Sequence, residues 1–480
     1  MRVFLINPSS GVDKRAGVYS DSMFPMPPLG LAYLAGVSRD LGHETAVEDQ
    51  YASGIDANQI AELVLRHRAD VVGLSCLSPC MPEIESIILK IRGRIPNVHI
   101  TLGNIHATLF ADELIKRLPI DSIVLGEGEE TFGELLTCLE KGNSDLSITG
   151  LFSRGMDGLE TARHRLPIRN LDELPRPAWE LFRLEDYMLP PRMMFREIAL
   201  SVHASRGCPW KCSFCSQNTF MPGVRRRSMR SLVEEMVWIH KDLGVSCVGF
   251  QDAIFPLSED EGFEFCRLMT EHGMDKKMKW FTETRTDLVS FDLLKELKLS
   301  GCLFIMYGFE SGNVRHLEES GKRLDPQRGF EVMGYMKRLK IPTYGLFMIG
   351  FPHETVEEAR VTIKYAQELD CDVASFSRVT PYPGTAFFDR YKDTFPTDIF
   401  PWQWNNQYRP QPQEAIWQLP GLSHEAISNL LIEAMAGFYF RPRTIIKHLR
   451  LGLFSKADMI RGALSILKDV FVKLSHMSRA

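Results

Sequence analysis

Residues 206–215 read RGCPWKCSFC and place three cysteines, Cys208, Cys212 and Cys215, in a CxxxCxxC pattern. Three thiolates on one short loop can hold three irons of a 4Fe-4S cube, whereas electron-transfer clusters usually take four cysteines. A loop with three cysteines therefore leaves one iron open to bind another molecule. We predict that these three residues hold a 4Fe-4S cluster, and that the domain around them is built to present the open iron.

The alternative for this loop is a structural zinc site. Such sites normally have four Cys or His ligands, often as two spaced pairs. No second pair follows at a usable spacing, and His203 lies in the apolar run IALSVHA, which is typical of a strand. The cluster is therefore the stronger interpretation.

The loop resembles that of the radical S-adenosylmethionine (radical SAM) superfamily. Phe214 precedes the third cysteine, and Gly207 and Pro209 bracket the first, as in that family. The resemblance implies that the open iron binds S-adenosylmethionine (SAM) and that the reduced cluster cleaves it to a 5′-deoxyadenosyl radical. It also implies that Phe214 contacts SAM and that an electron donor such as flavodoxin or ferredoxin reduces the cluster.

The composition is that of a folded, multidomain protein. The chain has 480 residues, a hydrophobic share of 44% and a formal net charge of -5, which disfavours a nucleic-acid partner. Of its ten cysteines, three lie in the loop and the other seven are scattered, as expected for reduced thiols in the cytoplasm. The sequence shows neither a signal peptide nor an apolar run long enough to span a membrane.

Short apolar strands alternate with amphipathic segments over the first 140 residues. This alternation predicts a doubly wound, Rossmann-like parallel α/β domain. The predicted strands cover residues 3–6, 44–47, 71–74, 99–102 and 122–125. Sheets of this kind bind ligands at the carboxyl ends of their strands.

Small and polar residues gather at those strand ends. Together with PPLGLAYLAG at 27–36, they resemble the cobalamin-binding domain that precedes the radical SAM domain in one large subfamily. A flavodoxin-like domain that binds nothing would also carry Gly and Ser there. The residues that the resemblance places at cobalamin are Asn7, Ser9, Ser75, Ser78, Gly103, Asn104, His106, Gly126 and Glu127.

The chain departs from other cobalamin proteins in one respect. The DxHxxG motif that gives cobalt a histidine ligand is absent after the first strand. We therefore expect cobalamin to bind with its own base detached and without a protein histidine on cobalt. His106 follows the fourth strand, where it either touches the corrin edge or is a plain loop histidine.

Strands and helices alternate again from residue 198. Six βα units predict a partial (βα)6 barrel, and three helices carry capping-box signatures, at Ser231, Ser258 and Thr355. The predicted strands cover residues 198–203, 247–251, 279–284, 303–309, 343–349 and 373–379. In such barrels the chemistry lies at the carboxyl ends of the strands.

Charged residues end several of these strands. The run YGFESG resembles the fourth-strand motif whose glutamate, here Glu310, meets the ribose or amino group of SAM; a salt-bridged strand end is the alternative. Asp252 stands where the family often has an acidic pair, and Glu283 ends the third strand. IGFPHET at 349–355 resembles the turn that backs the adenine. Tyr307 and Arg378 are candidates for substrate contact.

The remaining segments divide the chain further. Residues 146–196 are rich in proline, which predicts a linker between a cobalamin domain at 1–145 and a radical SAM domain at 197–400. Residues 401–480 are predicted to form a helical extension. Its tail from residue 441 has nine Lys or Arg against two Asp, which favours a helical cap with a solvated basic face, or else contact with an anionic membrane. An aromatic patch is predicted from Phe400, Trp402, Trp404, Tyr408 and Trp417.

The family resemblance implies one of two reactions. In the first, the radical takes a hydrogen atom from an unactivated carbon and methylcobalamin donates a methyl group; in the second, cobalamin assists an oxidation. We favour methylation. FYFRPR at 438–443 and RGCPWKCSFCSQ resemble the anaerobic magnesium-protoporphyrin monomethyl ester cyclase group, which points to a large apolar substrate and keeps oxidation open. The expected substrate is therefore small, or lipid-like or tetrapyrrole-like. A non-catalytic sensor is a further alternative, whereas a tRNA methylthiotransferase should carry extra N-terminal cluster cysteines.

Overall fold

The computed structural model describes residues 1–10, 26–154, 162–188, 197–395 and 417–451, with a few positions between 459 and 467. This part of the chain divides into two compact units. The first contains the described residues up to Tyr187 together with 219–226, and the second contains 188–218 and those from Arg227 onward.

The first unit is built on a six-stranded sheet in the order β2-β1-β3-β4-β5-β6. Its strands are β1 Arg2–Asn7, β2 Glu44–Asp49, β3 Val71–Ser75, β4 His99–Gly103, β5 Ser122–Val124 and β6 Leu151–Ser153. The first five run parallel, and β6 pairs antiparallel with β5. Strand order reverses between β1 and β3, which is where sheets of this type bind ligands.

Helices of the first unit connect successive strands. They are α1 Leu29–Asp40, α2 Gln50–Ser53, α3 Ala57–His67, α4 Met81–Arg94, α5 Ile105–Leu109, α6 Ala111–Arg117 and α7 Glu129–Glu140. Helix α3 begins with a capping box. The Asp56 side chain accepts from the Gln59 backbone amide, and the Gln59 side chain accepts from the Asp56 backbone amide. Val3 and Leu5 of β1 pack in the core with Phe132 of α7, and all three are almost fully buried.

The second unit is built on a six-stranded parallel sheet whose strands are adjacent in chain order. They are β7 Ala199–Val202, β10 Cys247–Phe250, β11 Lys279–Thr284, β12 Cys302–Glu310, β13 Thr343–Ile349 and β14 Val373–Arg378. Two strands of two residues, β8 Ser205–Arg206 and β9 Arg225–Arg226, lie between β7 and β10 in the chain. The prediction of an N-terminal doubly wound domain followed by a partial (βα)6 unit is confirmed.

Helices after β8 are α8 Gln217–Phe220, α9 Met229–Leu243, α10 Glu259–Glu271, α11 Phe291–Leu299, α12 Val314–Glu319, α13 Pro326–Leu339, α14 Val356–Leu369, α15 Ala386–Tyr391, α16 His424–Tyr439 and α17 Pro442–Leu451. The capping box at Thr355 is confirmed, and Ser258 caps α10. The cap predicted at Ser231 is wrong: α9 begins three residues earlier, because the Ser228 side chain accepts from the Ser231 amide.

The C-terminal helices α16 and α17 follow the sheet of the second unit, and α16 packs on α14 and β14. Trp417 of the predicted aromatic patch is buried against His424. The other patch residues, Phe400, Trp402, Trp404 and Tyr408, and most of the basic tail lie outside the described residues. The stretch predicted as a linker contains β6, and its exact boundaries stay a prediction.

Candidate active site

The three cysteines of the CxxxCxxC pattern lie on one loop between β8 and α8, which we call the cluster loop (207–216). Cys208 and Cys212 are half-buried and Cys215 is exposed. Among the residues that the structure describes, no three His, Cys, Asp or Glu side chains already stand in the arrangement of a metal site. The donors themselves are three free thiols, which is the ligand set of a cluster with one open iron.

Backbone hydrogen bonds hold the cluster loop on two sides. The Ser213 amide donates to the Ser320 carbonyl (2.8 Å), and the Ser213 carbonyl accepts from the Phe387 amide (2.9 Å). Within the loop the Cys215 amide donates to the Cys212 carbonyl at 3.1 Å. Ser213 is therefore fixed between two segments that lie more than a hundred residues away in the chain.

Two cations act on the thiols of this loop. Burial raises the pKa of all three thiols, that of Cys212 to about 11. The charges of Lys322 and Arg285 act in the opposite direction and favour the thiolate. Arg285 also lies over the ring of Trp210, with its guanidinium carbon 4.2 Å from the ring centre. Positive charge beside three thiols fits a cluster, whose ligands must be deprotonated.

Asp252 follows β10 and bonds the backbone that leads into the cluster loop, at Ala204 and Ser205, which we call the stem of the loop. Its buried carboxylate accepts from the Ala204 amide (2.9 and 3.1 Å) and from both the amide (2.6 Å) and hydroxyl (2.7 Å) of Ser205. Burial nevertheless raises the pKa of Asp252 to about 7. These bonds are a structural use of the carboxylate, and the SAM contact stays a prediction.

Glu310 ends β12 in a strained position. Its backbone is left-handed, at φ 60°, and the register with β13 shifts between Gly308 and Glu310. The buried carboxylate accepts from the Lys322 ammonium at 2.9 Å. Glu283, at the neighbouring end of β11, has its pKa raised to about 7 by burial and by the charge of Glu310. The structure therefore brings together two of the three carboxylates predicted for SAM.

The turn after β13 also has a buried acid. The Glu354 carboxylate accepts from the backbone amides of Gly350 and Phe351, and its other oxygen lies 3.4 Å from His316 Nδ1. The His316 ring stacks on Phe351, and Phe214 meets Phe351 edge to face with ring centres 6.3 Å apart. Phe214 thus lies beside the turn that was predicted to back the adenine.

The two residues suggested for substrate contact are held inside the protein. The Tyr307 hydroxyl lies 3.7 Å from the Met336 sulfur in the core. Arg378 is 1% exposed, and its guanidinium bonds His424 Nδ1 (2.9 Å) and the Ser428 hydroxyl (2.9 Å) of α16. Both contacts are structural, and a role in substrate binding stays a prediction.

Polar side chains bond one another at the carboxyl edge of the first sheet. The Asn7 side chain, at the end of β1, donates to Asp49 (2.8 Å), whose other oxygen accepts from the Tyr187 hydroxyl (2.8 Å). The Ser9 amide donates to Gln50 at 2.8 Å. Burial raises the pKa of Asp49. The sequence did not single out Asp49 and Tyr187, which lie 138 residues apart.

Hydrogen bonds also join the ends of β3 and β4. The side-chain amide of Asn104 donates to the Ser75 hydroxyl (3.0 Å). The Ser78 hydroxyl shares a 2.8 Å hydrogen bond with His106 Nδ1. His106 is fully buried, which lowers its pKa to about 3. Its Nε2 has no hydrogen-bond partner within the described chain. His106 is therefore a buried, neutral histidine whose Nε2 has no partner among the described residues, and its contact with cobalamin stays a prediction.

The ends of β4 and β5 complete this edge. Gly103 closes β4, and Gly126, after β5, has φ of 69°, which favours glycine. Glu127 points elsewhere: its carboxylate accepts from the Ile168 amide (2.7 Å) and from Arg225 (2.6 Å). A contact of Glu127 with cobalamin stays a prediction.

Two cavities of the first unit lie away from these residues. One, of about 620 Å³, is lined by α1 and α7, and another, of about 460 Å³, is lined mainly by α3. Neither includes a residue predicted to touch cobalamin.

Family models match both units of the chain. A B12 binding domain matches residues 17–136, and the Radical SAM superfamily matches residues 202–366. No helix in the described ranges is both long and apolar enough to cross a membrane.

Relatives and a solved structure extend the match over most of the chain. The chain is 31% identical to an uncharacterized methyltransferase of Pyrococcus horikoshii, over 88% of this chain and 89% of that protein. It is 28% identical to the anaerobic magnesium-protoporphyrin IX monomethyl ester cyclase of Cereibacter sphaeroides, over 82% of this chain and 64% of that protein.

The fold is similar to that of TsrM from Kitasatospora setae, a radical SAM methyltransferase solved with cobalamin and a [4Fe-4S] cluster bound. The TM-score is 0.72, the identity is 18%, and the match covers 97% of this chain and 99% of that one. With the three thiols, the two sheets and these matches taken together, the chain belongs to the radical SAM superfamily, in the group of enzymes that carry an N-terminal B12-binding domain and use cobalamin, a 4Fe-4S cluster and SAM.

Proposed function

We propose that this enzyme methylates an unactivated carbon of a substrate that is a small molecule, or is lipid-like or tetrapyrrole-like. The observation that carries the proposal is the extent of the match. The chain is 31% identical to the methyltransferase of Pyrococcus horikoshii over 89% of that protein, against 28% over 64% for the cyclase of Cereibacter sphaeroides, which supports methyl transfer.

When bound, the cofactors supply a SAM-derived radical and a transferable methyl group. The chain's own residues would bind and orient these cofactors. Cys208, Cys212 and Cys215 would hold the cluster, and Glu310 would accept a hydrogen bond from SAM. Phe214 would pack beside SAM.

The first unit would hold cobalamin along its carboxyl edge. Ser75, Asn104 and Gly126 offer neutral donors and acceptors and a close backbone approach, and His106 stays uncharged because it is buried. Because the DxHxxG motif is absent after β1, His106 is proposed to line the pocket without binding cobalt, although its Nδ1 is bonded to Ser78 and its Nε2 is left open.

The reaction is tested with the full chain, reconstituted anaerobically with iron, sulfide and cobalamin. The reduced enzyme is incubated with methyl-deuterated SAM and an extract of the host, and products are measured by mass spectrometry. We expect a product that gains three deuteriums, with S-adenosylhomocysteine and 5′-deoxyadenosine formed together, because one SAM supplies the methyl group and another the radical.

Two outcomes would contradict methylation. Deoxyadenosine with an unlabelled product and no S-adenosylhomocysteine would favour cyclase-like oxidation, and a fully loaded protein that never cleaves SAM would favour a sensor. A protein with Cys208, Cys212 and Cys215 all replaced by Ala is the matched control. It should form neither 5′-deoxyadenosine nor the deuterated product.

A further inference from the structure

Lys322 is a buried cation that the sequence did not single out. It lies in the turn after α12 and is 8% exposed. Its ammonium donates to Glu310 at 2.9 Å, and it is close enough to Glu283 and Cys212 for the charges to interact. Burying an ammonium is costly unless it is paired, so this placement needs a reason beyond one ion pair.

The surroundings hold Lys322 in place. Its backbone carbonyl accepts two hydrogen bonds from the Arg285 guanidinium, both at 3.1 Å. Two residues earlier, the Ser320 carbonyl accepts from Ser213 of the cluster loop. The turn that carries Lys322 is therefore attached directly to the loop that carries the three cysteines.

At Gly308 the ion pair occupies the space that a side chain would need. A Cβ added at Gly308 would lie 2.5 Å from Glu310 Oε1 and 2.8 Å from Lys322 Nζ. Any side chain there would displace one partner. The glycine, the left-handed backbone of Glu310 and the anchored turn thus act together to set where the carboxylate points.

We propose that Lys322 is a positioning residue of the SAM and cluster site, which fixes the Glu310 carboxylate and offsets the negative charge of the cluster loop. The inference rests on the proposed assignment of the cluster to the three cysteines and of Glu310 to SAM. It goes beyond that assignment by giving one cation two effects, on SAM affinity and on the reduction potential of the cluster.

The sign of the second effect follows from electrostatics. Reduction adds negative charge to the cluster, and a nearby cation stabilises the added charge. Removing the cation should therefore shift the potential to a more negative value. A merely structural lysine would affect folding or loading without moving the potential of a correctly loaded cluster.

The test compares Lys322→Met and Lys322→Arg in the full chain after anaerobic reconstitution. SAM affinity is measured by equilibrium binding, and the cluster potential by a redox titration followed by paramagnetic resonance. We expect Lys322→Met to weaken SAM binding about tenfold, equivalent to about 1.4 kcal/mol, and to lower the potential. Lys322→Arg keeps the positive charge and should retain the parent's SAM affinity and cluster potential. Lys364→Met, at an exposed lysine of α14, is the matched control.

If Lys322→Met fails to fold because Glu310 is left unpaired, Lys322→Gln, which removes the positive charge but keeps a hydrogen-bond donor for Glu310, is measured instead. A fully loaded variant with the parent's potential, or a single Lys322→Met variant with the parent's SAM affinity, would overturn the proposal. Both readouts need no methyl acceptor, so they stand even if the enzyme does not methylate.

Discussion

The carboxyl edges of the two sheets differ in their chemistry. At the first, most of the residues proposed for cobalamin are neutral and bond one another, as Asn104 bonds Ser75 and His106 bonds Ser78, while the acids Asp49 and Glu127 are bonded to partners within the same unit. At the second, full charges are buried together, as in the pair of Glu310 with Lys322.

This difference matches the ligands proposed for each edge. Cobalamin is large and carries many amide groups, for which neutral donors and acceptors are suitable partners. SAM has an amino acid end with both charges, and a cluster carries negative charge, so buried ions can bind and balance them. If the comparison is right, substitutions at the second edge should have larger effects than matched substitutions at the first.

The largest effect is expected at the cluster loop. Replacing Cys208, Cys212 and Cys215 together with Ala should reduce iron from about four per chain to near zero and abolish SAM cleavage, because each supplies one thiolate. Iron analysis after anaerobic reconstitution measures it. Cysteines expected to be dispensable for the cluster are Cys247, Cys266, Cys302 and Cys371. The single variant Cys371→Ala is the control, and a triple variant that keeps about four irons would sink the assignment.

The next effect concerns the stem of the cluster loop. Asp252→Asn puts an NH2 group against backbone amides of Ala204 and Ser205 that now donate to a carboxylate. We expect the free energy of unfolding to fall by about 2–3 kcal/mol. Urea unfolding of the full chain measures it, with the exposed Asp260→Asn as control. Equal stability of the two variants would show that the hydrogen bonds accepted by Asp252 do not stabilise the fold.

His106 should make the first edge sensitive to acid. Its pKa is lowered to about 3 in the folded state, below the ordinary value of 6.5, so only the unfolded chain gains a proton between those values. The stability that the protein gains from keeping His106 neutral is fully present above about pH 6.5. It is lost as the pH falls towards 3. We expect a loss of about 2 kcal/mol between pH 7.5 and pH 5.

The measurement is urea unfolding across that range, compared with His106→Gln, in which the pH dependence from this group should vanish. His164→Gln, at an exposed histidine, should behave like the parent. His106→Ala should also leave the paramagnetic resonance spectrum of bound cob(II)alamin nearly unchanged. Nitrogen splitting present in the parent and lost in this variant would identify His106 as a cobalt ligand and contradict the reading of a neutral pocket residue.

The smallest effect is expected at Thr108. Its hydroxyl accepts from the Gly126 amide and donates to the Asn104 carbonyl, each at 3.0 Å, and so joins two strand ends. Thr108→Val should weaken cobalamin binding about fivefold, or about 1 kcal/mol, because these bonds are neutral. Cobalamin titration measures it. Thr137→Val, which removes a bond within α7, is the control, and equal affinities would argue that this link does not shape the cobalamin edge.

Much of the fold was accessible from the sequence because buried parallel strands are short apolar runs. The strands β11 and β13 have the predicted bounds, and the others differ by no more than two residues at either end. Strand β6 was missed, since it is three residues long and lies in a proline-rich stretch without periodicity. The cap of α9 was misplaced because two serines, Ser228 and Ser231, offered the same signal.

The candidate site was only partly accessible. Cysteine spacing and strand-end acids are local signals, and they located the cluster loop, Glu283 and Glu310. Lys322 and the pair of His316 with Glu354 depend on contacts between separate elements, which no local pattern encodes. Nor can a sequence show that Glu127 and Asp252 are already committed to partners inside the protein.

The double attachment of Ser213 has a consequence for the life of the enzyme in the presence of oxygen. Because protein hydrogen bonds shape the backbone between Cys212 and Cys215, iron need not order this segment as it binds, and less chain entropy is lost on loading. The Ser213 amide should exchange slowly with deuterium even in metal-free enzyme. If this amide is protected, we expect a molecule whose cluster has been destroyed to keep a template on which the cluster can be rebuilt, without synthesis of a new chain.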